Sequence, residues 1–441
     1  MIRNILIQTY GCQMNVYDSE IIKRLLHPLG YTFVTSAKHA DIILINTCAI
    51  RAKAEQKVFS YLGRLALLKQ NSPQLIIGVC GCIAQNYGKK LIHKAPCVDF
   101  VVGTHAIFQL PSILENVCCH TTTQKIFVDF NISLKELSLV DSPILESSIS
   151  SFVTIMRGCN NYCSYCVVPY VRGPEISRPP EAIIQEIEYK VARGVREVTL
   201  LGQNVNSYGK REGLISFAEL LEKIHNIDGL YRIRFTTSHP KDFNTPLIDA
   251  FTRLKKLCAH IHLPVQSGSD KVLKRMNRKY SRGDYLKKIE LLKKKCPHIC
   301  ITSDFIVGFP GETHEDFELS LSMIKIVQYD SLFAFQYSDR NIAPASRYQP
   351  KVDESLKKER LMRLLDVQNE NVIMRNSQCI GKTFEVLVEG KSKRDNNQWT
   401  GRTSGNKIVN FLAPDHPTDL NASLVDVFIE EACAHSLRGV M

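Results

Sequence analysis

Three cysteines within eight residues constrain this chain more than any other feature of its sequence. They follow the spacing Cys159-x3-Cys163-x2-Cys166, just after an apolar run at residues 152–156 that predicts a buried strand. Thiolates hold iron–sulfur clusters, and a short loop gathers several thiolates at little cost in loop-closure entropy. Three ligands for a cluster of four irons leave one iron open to a small molecule. The spacing therefore predicts an iron–sulfur site in this loop.

A structural zinc site is the alternative for the same three cysteines. Zinc takes four protein ligands, usually in Cys-x2-Cys pairs or in a Cys/His set. No fourth cysteine or histidine lies near residues 159–166 in the sequence. The spacing therefore favours a cluster over zinc.

Composition limits the class of protein. The 441 residues indicate two to four domains, and 44% hydrophobic residues are enough for real cores. No apolar run reaches the roughly 18 residues of a membrane span, and the first residues turn polar too soon for a signal peptide. We therefore expect a cytoplasmic protein without membrane association. Its fifteen cysteines then point to metal or redox use. The net charge of +12 favours nucleic acid as a partner, although it also serves solubility.

Residues 1–117 predict an α/β domain with a parallel sheet, because strand-like runs alternate with helical patterns. The expected strands cover residues 5–10, 41–46, 75–79 and 100–102. Cys12, Cys48 and Cys82 each follow the end of one of these strands. Because the carboxyl ends of parallel strands meet at one edge of a sheet, the three cysteines are expected to meet there. They form a second candidate centre, although each alone also fits a small buried hydrophobe.

Residues 118–150 lose periodicity and become serine-rich, which predicts a linker with one short strand at residues 125–128. Residues 151–377 then repeat a strand-and-helix pattern. The first expected strand begins at Phe152, and the others cover residues 197–201, 232–237, 260–264, 301–307 and 331–336. Six such units predict an open, partial (β/α)6 barrel with its functional residues at the C-terminal strand ends.

Small and polar residues at those strand ends are candidates to bind a ligand, because glycine admits close backbone approach and polar side chains can hydrogen-bond. With Tyr165 of the cysteine loop, the candidates are Gly202, Gln203, Ser238, Ser267 and Gly308. A turn or strand-end cap explains each of them equally well. We interpret His239, His260 and His262 as packing or surface residues.

Residues 378–441 predict a small, OB-like β-barrel after a long amphipathic helix at residues 355–376. The candidates for RNA binding are the basic residues Lys391, Lys393, Arg394 and Arg402, followed by Lys407. The only tryptophan, Trp399, stands among them, and a basic cluster with an aromatic residue is typical of single-strand binding. A solvated hairpin with ordinary surface lysines is the alternative.

Taken together, these segments resemble the radical S-adenosylmethionine (SAM) methylthiotransferase family over essentially the whole chain. The cysteine loop resembles the radical-SAM signature, and the family joins a three-cysteine domain, a radical-SAM barrel and a TRAM domain. Four strings resemble its MiaB branch: RGCNNYCSYCVVPY (157–170), LGQNVNSY (201–208), HLPVQSGS (262–269) and FIVGFPGET (305–313). The expected domains are therefore residues 1–117, a linker at 118–150, the radical-SAM domain at 151–377 and the TRAM domain at 378–441.

The resemblance implies an enzyme that adds a methylthio group to carbon 2 of an isopentenylated adenosine immediately 3′ of the anticodon. SAM would be both the methyl donor and the source of a 5′-deoxyadenosyl radical. It also implies two 4Fe-4S clusters. Cys159, Cys163 and Cys166 would hold the cluster that binds SAM, and Cys12, Cys48 and Cys82 an auxiliary cluster that carries the sulfur. No residue beyond these ligands is expected to be catalytic.

The resemblance implies partners as well. They are the anticodon stem-loop of tRNA, an electron donor such as a flavodoxin or ferredoxin, and a sulfur or cluster carrier; we expect a monomer. One departure is visible: the family usually reads Tyr-Ser-x-Arg-Pro-Gly-Thr where residues 337–343 read YSDRNIA. Without the Pro-Gly turn, the loop shape and the fit of the substrate are open.

Three alternative functions remain. One sister branch acts on threonylcarbamoyl-adenosine in tRNA, and another acts on an aspartate of a ribosomal protein. From a different class, the chain fits an iron–sulfur RNA-binding protein that senses redox state without catalysis. Two centres that each leave an iron open argue against a sensor, which has no need of a free coordination position.

Overall fold

The chain forms three parts in the order that the sequence predicts. The computed structural model describes residues 3–49, 52–119, 125–130, 148–413 and 419–441. Most of the predicted linker, residues 120–124 and 131–147, lies outside the described residues. Within these ranges, no helix combines the length and the apolar composition needed to cross a bilayer.

The first part is a parallel sheet with helices on both faces. Its strands are β1 (Arg3–Thr9), β2 (Tyr31–Phe33), β3 (Ile42–Thr47), β4 (Ile76–Gly81), β5 (Phe100–Val102) and β6 (Ile126–Phe127), in the order β2-β1-β3-β4-β5-β6. Its helices are α1 (Gln13–Leu26), α2 (Ala52–Asn71), α3 (Cys82–Tyr87), α4 (Lys89–Lys94) and α5 (Leu110–Cys118). Strand β3 is buried throughout because its side chains alternate between two cores, with Ile43 in one and Ile42 in the other. The four predicted strands are confirmed.

Two strands refine the predicted boundaries of this sheet. Strand β2 has three residues at the sheet edge, too few for alternation to reveal in the sequence. Strand β6 lies in the segment predicted as linker, and Ile126 pairs with Val101 while Phe127 pairs with Val102. The first sheet therefore reaches residue 127, ten residues beyond the expected boundary at residue 117.

The second part is an open barrel. Its strands are β7 (Ser150–Thr154), β8 (Met156–Arg157), β9 (Ile176–Ser177), β10 (Glu197–Leu201), β11 (Arg232–Phe235), β12 (His260–His262), β13 (Cys300–Val307) and β14 (Ser331–Gln336). Strands β8 and β9 form an antiparallel pair, and the other six form two parallel sheets, β11-β10-β7 and β12-β13-β14. A parallel bridge joins Ile233 of β11 to Leu257, which stands three residues before β12. The prediction of six barrel strands is confirmed.

Helices pack around this wall and bury its apolar residues in one large core. They are α6 (Val168–Arg172), α7 (Pro180–Val191), α8 (Phe217–His225), α9 (Thr245–Arg253), α10 (Asp270–Arg275), α11 (Arg282–Lys295), α12 (His314–Val327) and α13 (Glu354–Ser377). Three begin with a capping box, in which the hydroxyl of Ser216, Ser281 or Thr313 caps α8, α11 or α12. These caps fix the turns that follow the barrel strands.

The third part is a closed β-barrel that follows α13. Its strands are β15 (Thr383–Lys391), β16 (Trp399–Thr403), β17 (Ile408–Leu412), β18 (Leu424–Ala432) and β19 (Leu437–Val440), in the closed order β15-β16-β17-β19-β18. Alternate side chains such as Val386, Phe411 and Ile429 fill its core. The predicted OB-like β-barrel is confirmed.

The small barrel docks against the N-terminal ends of the large barrel's strands. Arg234 of β11 donates hydrogen bonds to the carbonyl oxygens of Ser404 and Thr403, each at 2.8 Å. Lys407 Nζ lies 3.1 Å from a carboxylate oxygen of Asp330, the residue before β14. The loop after β16 is therefore held at the end of the large barrel opposite the C-terminal strand ends.

Candidate metal centres

The loop centre, Cys159, Cys163 and Cys166, lies directly after β8. The β8–β9 pair closes the base of the loop, and the backbone N–H of Cys159 donates to the Gly173 carbonyl oxygen at 3.1 Å. Gly158 has a φ of +79°, and a side chain there would collide with the backbone of Pro174. The sequence folds into a tight loop here because glycine alone fits that position.

Each thiol of the loop centre accepts a hydrogen bond from a nitrogen. The donors are Asn161 Nδ2 to Cys159 Sγ at 3.5 Å, Arg278 Nη1 to Cys163 Sγ at 3.3 Å, and the Val168 N–H to Cys166 Sγ at 3.4 Å. Burial raises the pKa of Cys159 to about 11 and raises the pKa of Cys166 as well. A ligand must be a thiolate, so a tightly bound cation has to displace these protons, and the N–H donors then stabilise the anions.

The auxiliary centre, Cys12, Cys48 and Cys82, is built from three neighbouring strand ends. Cys12 lies between β1 and α1, Cys48 follows β3 directly, and Cys82 is the first residue of α3 after β4. A hydrogen bond with the Cys48 thiol lowers the pKa of Cys12 to about 6, against the effect of burial. Cys80 belongs to the core on one face of the sheet, whereas Cys82 belongs to the core on the other face. The sheet therefore brings the three predicted cysteines together.

Buried amide and hydroxyl side chains hold these strand ends in place. Asn15 Nδ2 donates to Asn46 Oδ1 and to the Thr47 carbonyl oxygen, both at 2.9 Å. Thr47 Oγ1 donates to the Cys80 carbonyl oxygen at 2.6 Å. The network connects α1 with the ends of β3 and β4. The network was not predicted from the sequence, although the polar Asn46 and Thr47 at the end of an apolar strand, directly before Cys48, are a signal for it.

A buried ionic cluster connects the two centres. The carboxylate of Asp18 on α1 lies 2.9 Å from Arg157 Nη2 and 2.9 Å from Arg172 Nη2. Arg172 Nε also donates to Cys82 Sγ at 3.3 Å. Burial alone would lower the pKa of Arg172, but Asp18 and Cys82 raise it above its ordinary value. The residues on both sides of the loop centre therefore contact the domain that carries the auxiliary centre.

A single zinc ion requires ligands that stand close together. Four ligands 2.3 Å from one zinc ion stand roughly 3.8 Å from one another. No group of three or more His, Cys, Asp or Glu side chains in the described part of the chain has the geometry to hold one ion. The six cysteines fall into two sets of three, and each set has a nitrogen donor at one or more of its sulfurs.

The predicted ligand-binding residues differ in how free their polar groups are. Gln203 Oε1 accepts the Gly158 N–H and supports the cysteine loop. The Tyr165 hydroxyl accepts from Arg278 at 3.4 Å. Ser267 is fully buried and accepts the Ser269 N–H at 3.2 Å. These three side chains therefore already support the loop or a strand end.

The two glycines have packing neighbours where a side chain would point. Met156 fills that space at Gly202, and Lys357 fills it at Gly308, whose φ is +68°. Ser238 differs from the other predicted residues, because its buried hydroxyl has no hydrogen-bond partner among the described residues. It is the predicted residue best able to accept a new partner.

Two further buried side chains at the same strand ends have free polar atoms. Both amide atoms of Asn206 and Nε2 of His239 lack hydrogen-bond partners within the described ranges. His239 Nδ1 accepts the Lys241 N–H at 3.1 Å, which leaves the proton on Nε2 as a free donor. Burial, with Arg278 and Lys241 nearby, lowers the pKa of His239, so the ring is neutral. Our interpretation of His239 as a packing residue overlooked this free donor.

The predicted RNA-binding residues divide into two groups. Lys391, Lys393 and Arg394 are exposed. Arg402 Nε instead donates to Glu389 Oε1 at 2.9 Å, beside the contact with the large barrel. Trp399 is 5% exposed in the core of the small barrel, so it is not available to stack on a base. The alternation of buried residues along β16 turns it inward.

The segment that departs from the usual family string packs against the first part of the chain. Arg340 Nη1 lies 3.2 Å from Glu55 Oε2, and Ala343 is buried in a core of the N-terminal domain. The Ala343 N–H donates to the Arg340 carbonyl oxygen at 2.7 Å, which closes a turn without the Pro-Gly pair.

Three family descriptions match consecutive parts of the chain. Residues 4–103 match "Uncharacterized protein family UPF0004", residues 153–324 match "Radical SAM superfamily", and residues 377–441 match "TRAM domain". Their order and positions agree with the three structural parts.

Curated relatives are similar over nearly the full length. A tRNA-2-methylthio-N(6)-dimethylallyladenosine synthase of Desulfosudis oleivorans is 50% identical to this chain. The alignment covers 98% of this chain and 96% of the relative's sequence. The enzyme of the same name from Syntrophus aciditrophicus is 50% identical over 100% of this chain and 94% of its own.

A solved structure with little sequence similarity shares the fold. The radical S-adenosylmethionine methyltransferase TsrM from Kitasatospora setae, with cobalamin and a 4Fe-4S cluster bound, aligns with a TM-score of 0.58 at 12% identity. The alignment covers 87% of this chain and 81% of that one. At this identity the likeness shows the fold alone.

Proposed function

This chain belongs to the family of tRNA-2-methylthio-N(6)-dimethylallyladenosine synthases, and we propose that it is a radical-SAM methylthiotransferase for carbon 2 of the isopentenylated adenosine immediately 3′ of the anticodon. In this proposal SAM is both the methyl donor and the radical source. The observation that carries the proposal is the presence of two three-cysteine centres, joined by the buried Asp18 cluster. A transfer of sulfur and methyl to an unactivated carbon needs both.

The six cysteines divide the work. Cys159, Cys163 and Cys166 are proposed to hold one 4Fe-4S cluster with SAM, and Cys12, Cys48 and Cys82 the other. When bound, these groups supply a radical that removes hydrogen from an unactivated carbon and a sulfur atom for transfer. The protein ligates them, stabilises the thiolates through nitrogen donors and keeps water away by burial.

The C-terminal strand ends of the large barrel are the proposed site for SAM and the adenine. Ser238, Asn206 and His239 offer one free hydroxyl, one free amide and one free imidazole N–H there. Buried polar groups cost free energy unless they are hydrogen-bonded, so three such groups support a polar ligand at this place. Tyr165 and Gln203 support it indirectly, because they contact the residues that hold the cysteine loop.

The proposed macromolecular partner is the anticodon stem-loop of a tRNA. We propose that the protein binds it in the cytoplasm as a monomer. Support comes from the TRAM match, the net charge of +12 and the exposed Lys391, Lys393 and Arg394. Each phosphate contact adds to the salt dependence of binding.

Charge reversal tests this surface. We expect the double variant Lys393→Glu/Arg394→Glu to bind the tRNA more weakly and with a slope of log K against log salt that is smaller by up to about 1.8. Filter binding over a salt series measures both. The matched control is Lys223→Glu/Lys287→Glu, which changes the same charge on exposed outer helices of the large barrel. If both double variants lost the same tRNA affinity, the effect would come from the net charge of the protein and not from a specific surface at Lys393 and Arg394.

The proposed electron donor is an acidic flavodoxin or ferredoxin. A cavity of about 390 Å³ lies beside the cysteine loop, and its lining includes Tyr162, Lys274 and Arg275. Tyr162 is next to Cys163 and is 52% exposed. A cationic cavity against the outer side of the loop supports the approach of an acidic protein to the cluster.

The decisive experiment uses anaerobically reconstituted protein, SAM, a strong reductant and an isopentenylated anticodon stem-loop. Mass spectrometry of the digested RNA looks for the methylthio mass on that adenosine. Parallel reactions contain stem-loops with unmodified adenosine or with threonylcarbamoyl-adenosine. We expect the product with the isopentenylated RNA only.

Each other outcome contradicts a specific part of the proposal. If 5′-deoxyadenosine forms and the threonylcarbamoyl RNA is modified instead, the enzyme class stands and the substrate is wrong. If no SAM is cleaved although both clusters are present, the chain is not a radical-SAM enzyme and the redox-sensor alternative gains support.

A further inference from the structure

Arg172 lies between the two cysteine centres. It is the last residue of α6, the short helix after the cysteine loop, and it is 3% exposed. Its Nε donates to Cys82 Sγ at 3.3 Å, and its Nη2 lies 2.9 Å from Asp18 Oδ2. A residue of the second part of the chain therefore places a positive charge against a thiol of the first part.

Asp18 fixes the position of that guanidinium. It is fully buried on α1, the helix that begins directly after Cys12. Its other oxygen lies 2.9 Å from Arg157 Nη2, and Arg157 stands two residues before Cys159. One carboxylate thus holds the segments on both sides of the cysteine loop against the helix that starts at the auxiliary centre.

A buried guanidinium next to a ligand thiol changes the electrostatic potential at the auxiliary centre. Its interactions are strong because the surroundings have a low dielectric constant, and its donors keep fixed directions because the group is planar. Hydrogen bonds to cluster sulfurs and net charge set the reduction potential of an iron–sulfur cluster. A positive charge at Cys82 therefore favours the more negative, reduced state of a cluster held there.

We propose that Arg172 is a positioning residue of the auxiliary centre, which it holds against the cysteine-loop segment and whose reduction potential it raises. The inference rests on the proposed function, because it presupposes a cluster at Cys12, Cys48 and Cys82. Arg278 is the counterpart at the loop centre, since it donates to Cys163 Sγ at the same 3.3 Å but comes from the large barrel itself. The auxiliary centre thus takes its charge partner from another domain.

The test measures each potential in full-length protein that keeps one cluster. The background Cys159→Ala/Cys163→Ala/Cys166→Ala keeps the auxiliary centre, and Cys12→Ala/Cys48→Ala/Cys82→Ala keeps the loop centre. Redox titration followed by electron paramagnetic resonance gives the potentials, and iron and sulfide analysis confirms cluster content.

In the background with the auxiliary centre, we expect Arg172→Gln to make reduction about tenfold less favourable, a shift of about 59 mV for one electron. Arg172→Lys keeps the charge and is expected to restore most of that shift. In the background with the loop centre, Arg172→Gln is expected to leave the potential in place, whereas Arg278→Gln lowers it.

Three results overturn the inference. An unchanged auxiliary potential in Arg172→Gln, or equal shifts at both centres, removes the specific role of Arg172 and leaves the proposed function intact. Equal shifts in Arg172→Gln and Arg172→Lys assign the effect to packing and not to charge. If the background with the auxiliary centre binds no iron, the proposed function fails and this inference fails with it.

Discussion

The two cysteine centres reach similar chemistry by opposite routes. The loop centre is contained in eight residues, and the short β8–β9 ladder closes it. The auxiliary centre collects Cys12, Cys48 and Cys82 from three strand ends, so it exists only where the parallel sheet has formed. One centre depends on local geometry and the other on the fold of a whole domain.

The charge around the centres differs in the same way. The loop centre receives Arg278 from its own barrel, whereas the auxiliary centre receives Arg172 from the neighbouring part of the chain. Asp18 then joins that arginine to Arg157 across the boundary. The auxiliary centre, which depends on the fold of a whole domain, therefore also depends on the contact between two domains.

Removing one cysteine from each centre is expected to have the largest effect and to separate their roles. Cys163→Ala should reduce SAM cleavage to the background of the reductant alone, because the loop cluster loses a ligand. Cys48→Ala should keep cleavage and lose the methylthio product. Chromatography of 5′-deoxyadenosine and mass spectrometry of the RNA measure the two outcomes. Cys119→Ala, at an exposed cysteine outside both centres, is the control. A Cys48→Ala protein that still makes methylthio RNA would contradict the division of work.

The sequence predicted both centres, but for different reasons. The loop spacing is a local signal, so Cys159, Cys163 and Cys166 stand out directly. Cys12, Cys48 and Cys82 emerged because each follows a predicted strand, and parallel topology then decides where strand ends meet. The six strands of the large barrel followed from periodicity, whereas the small C-terminal barrel was predicted from short strands with a basic cluster and an aromatic residue.

Contacts between charged residues that are far apart in the sequence could not be predicted from motifs and periodicity. Arg172 lies 90 positions from Cys82, and no periodicity or motif connects them. Whether the polar atoms of Asn206 and His239 have hydrogen-bond partners depends on all of their neighbours in the fold, which no local sequence pattern specifies. The inward position of Trp399 follows from the alternation of buried residues along β16, a strand that was not predicted from the sequence.

Breaking the Asp18 cluster tests how far the auxiliary centre depends on the contact between domains. Asp18→Asn leaves Arg157 and Arg172 buried without a carboxylate, and removing one partner of a buried ion pair costs about 3–5 kcal/mol. We expect a loss of that size in the free energy of unfolding of the iron-free protein, measured by urea denaturation followed by circular dichroism.

An exposed ion pair supplies the control for Asp18→Asn. Glu318→Gln removes the partner of Arg363 in a pair whose side chains are 43% and 40% exposed, and such pairs are worth about 0–1 kcal/mol. Trp399 fluorescence follows the small barrel in the same samples, and its transition should move less than the circular dichroism signal. Equal shifts for Asp18→Asn and Glu318→Gln would mean that the buried cluster adds nothing to the contact between domains.

The acidity of the free thiols gives the finest comparison of the two centres. In the iron-free protein the Cys48 hydrogen bond lowers the pKa of Cys12 to about 6, whereas burial raises the pKa of Cys159 to about 11. Because the thiolate is the nucleophile, alkylation of Cys12 should rise through pH 6 and then level off, while that of Cys159 should still be rising far above neutral pH. Peptide mass spectrometry after short pulses of iodoacetamide measures both rates. Cys48→Ala removes the hydrogen bond and should move the Cys12 midpoint upward without changing Cys159. If Cys12 and Cys159 had the same alkylation midpoint, their thiols would have the same electrostatic environment. The two centres would then differ only in how the fold brings their cysteines together.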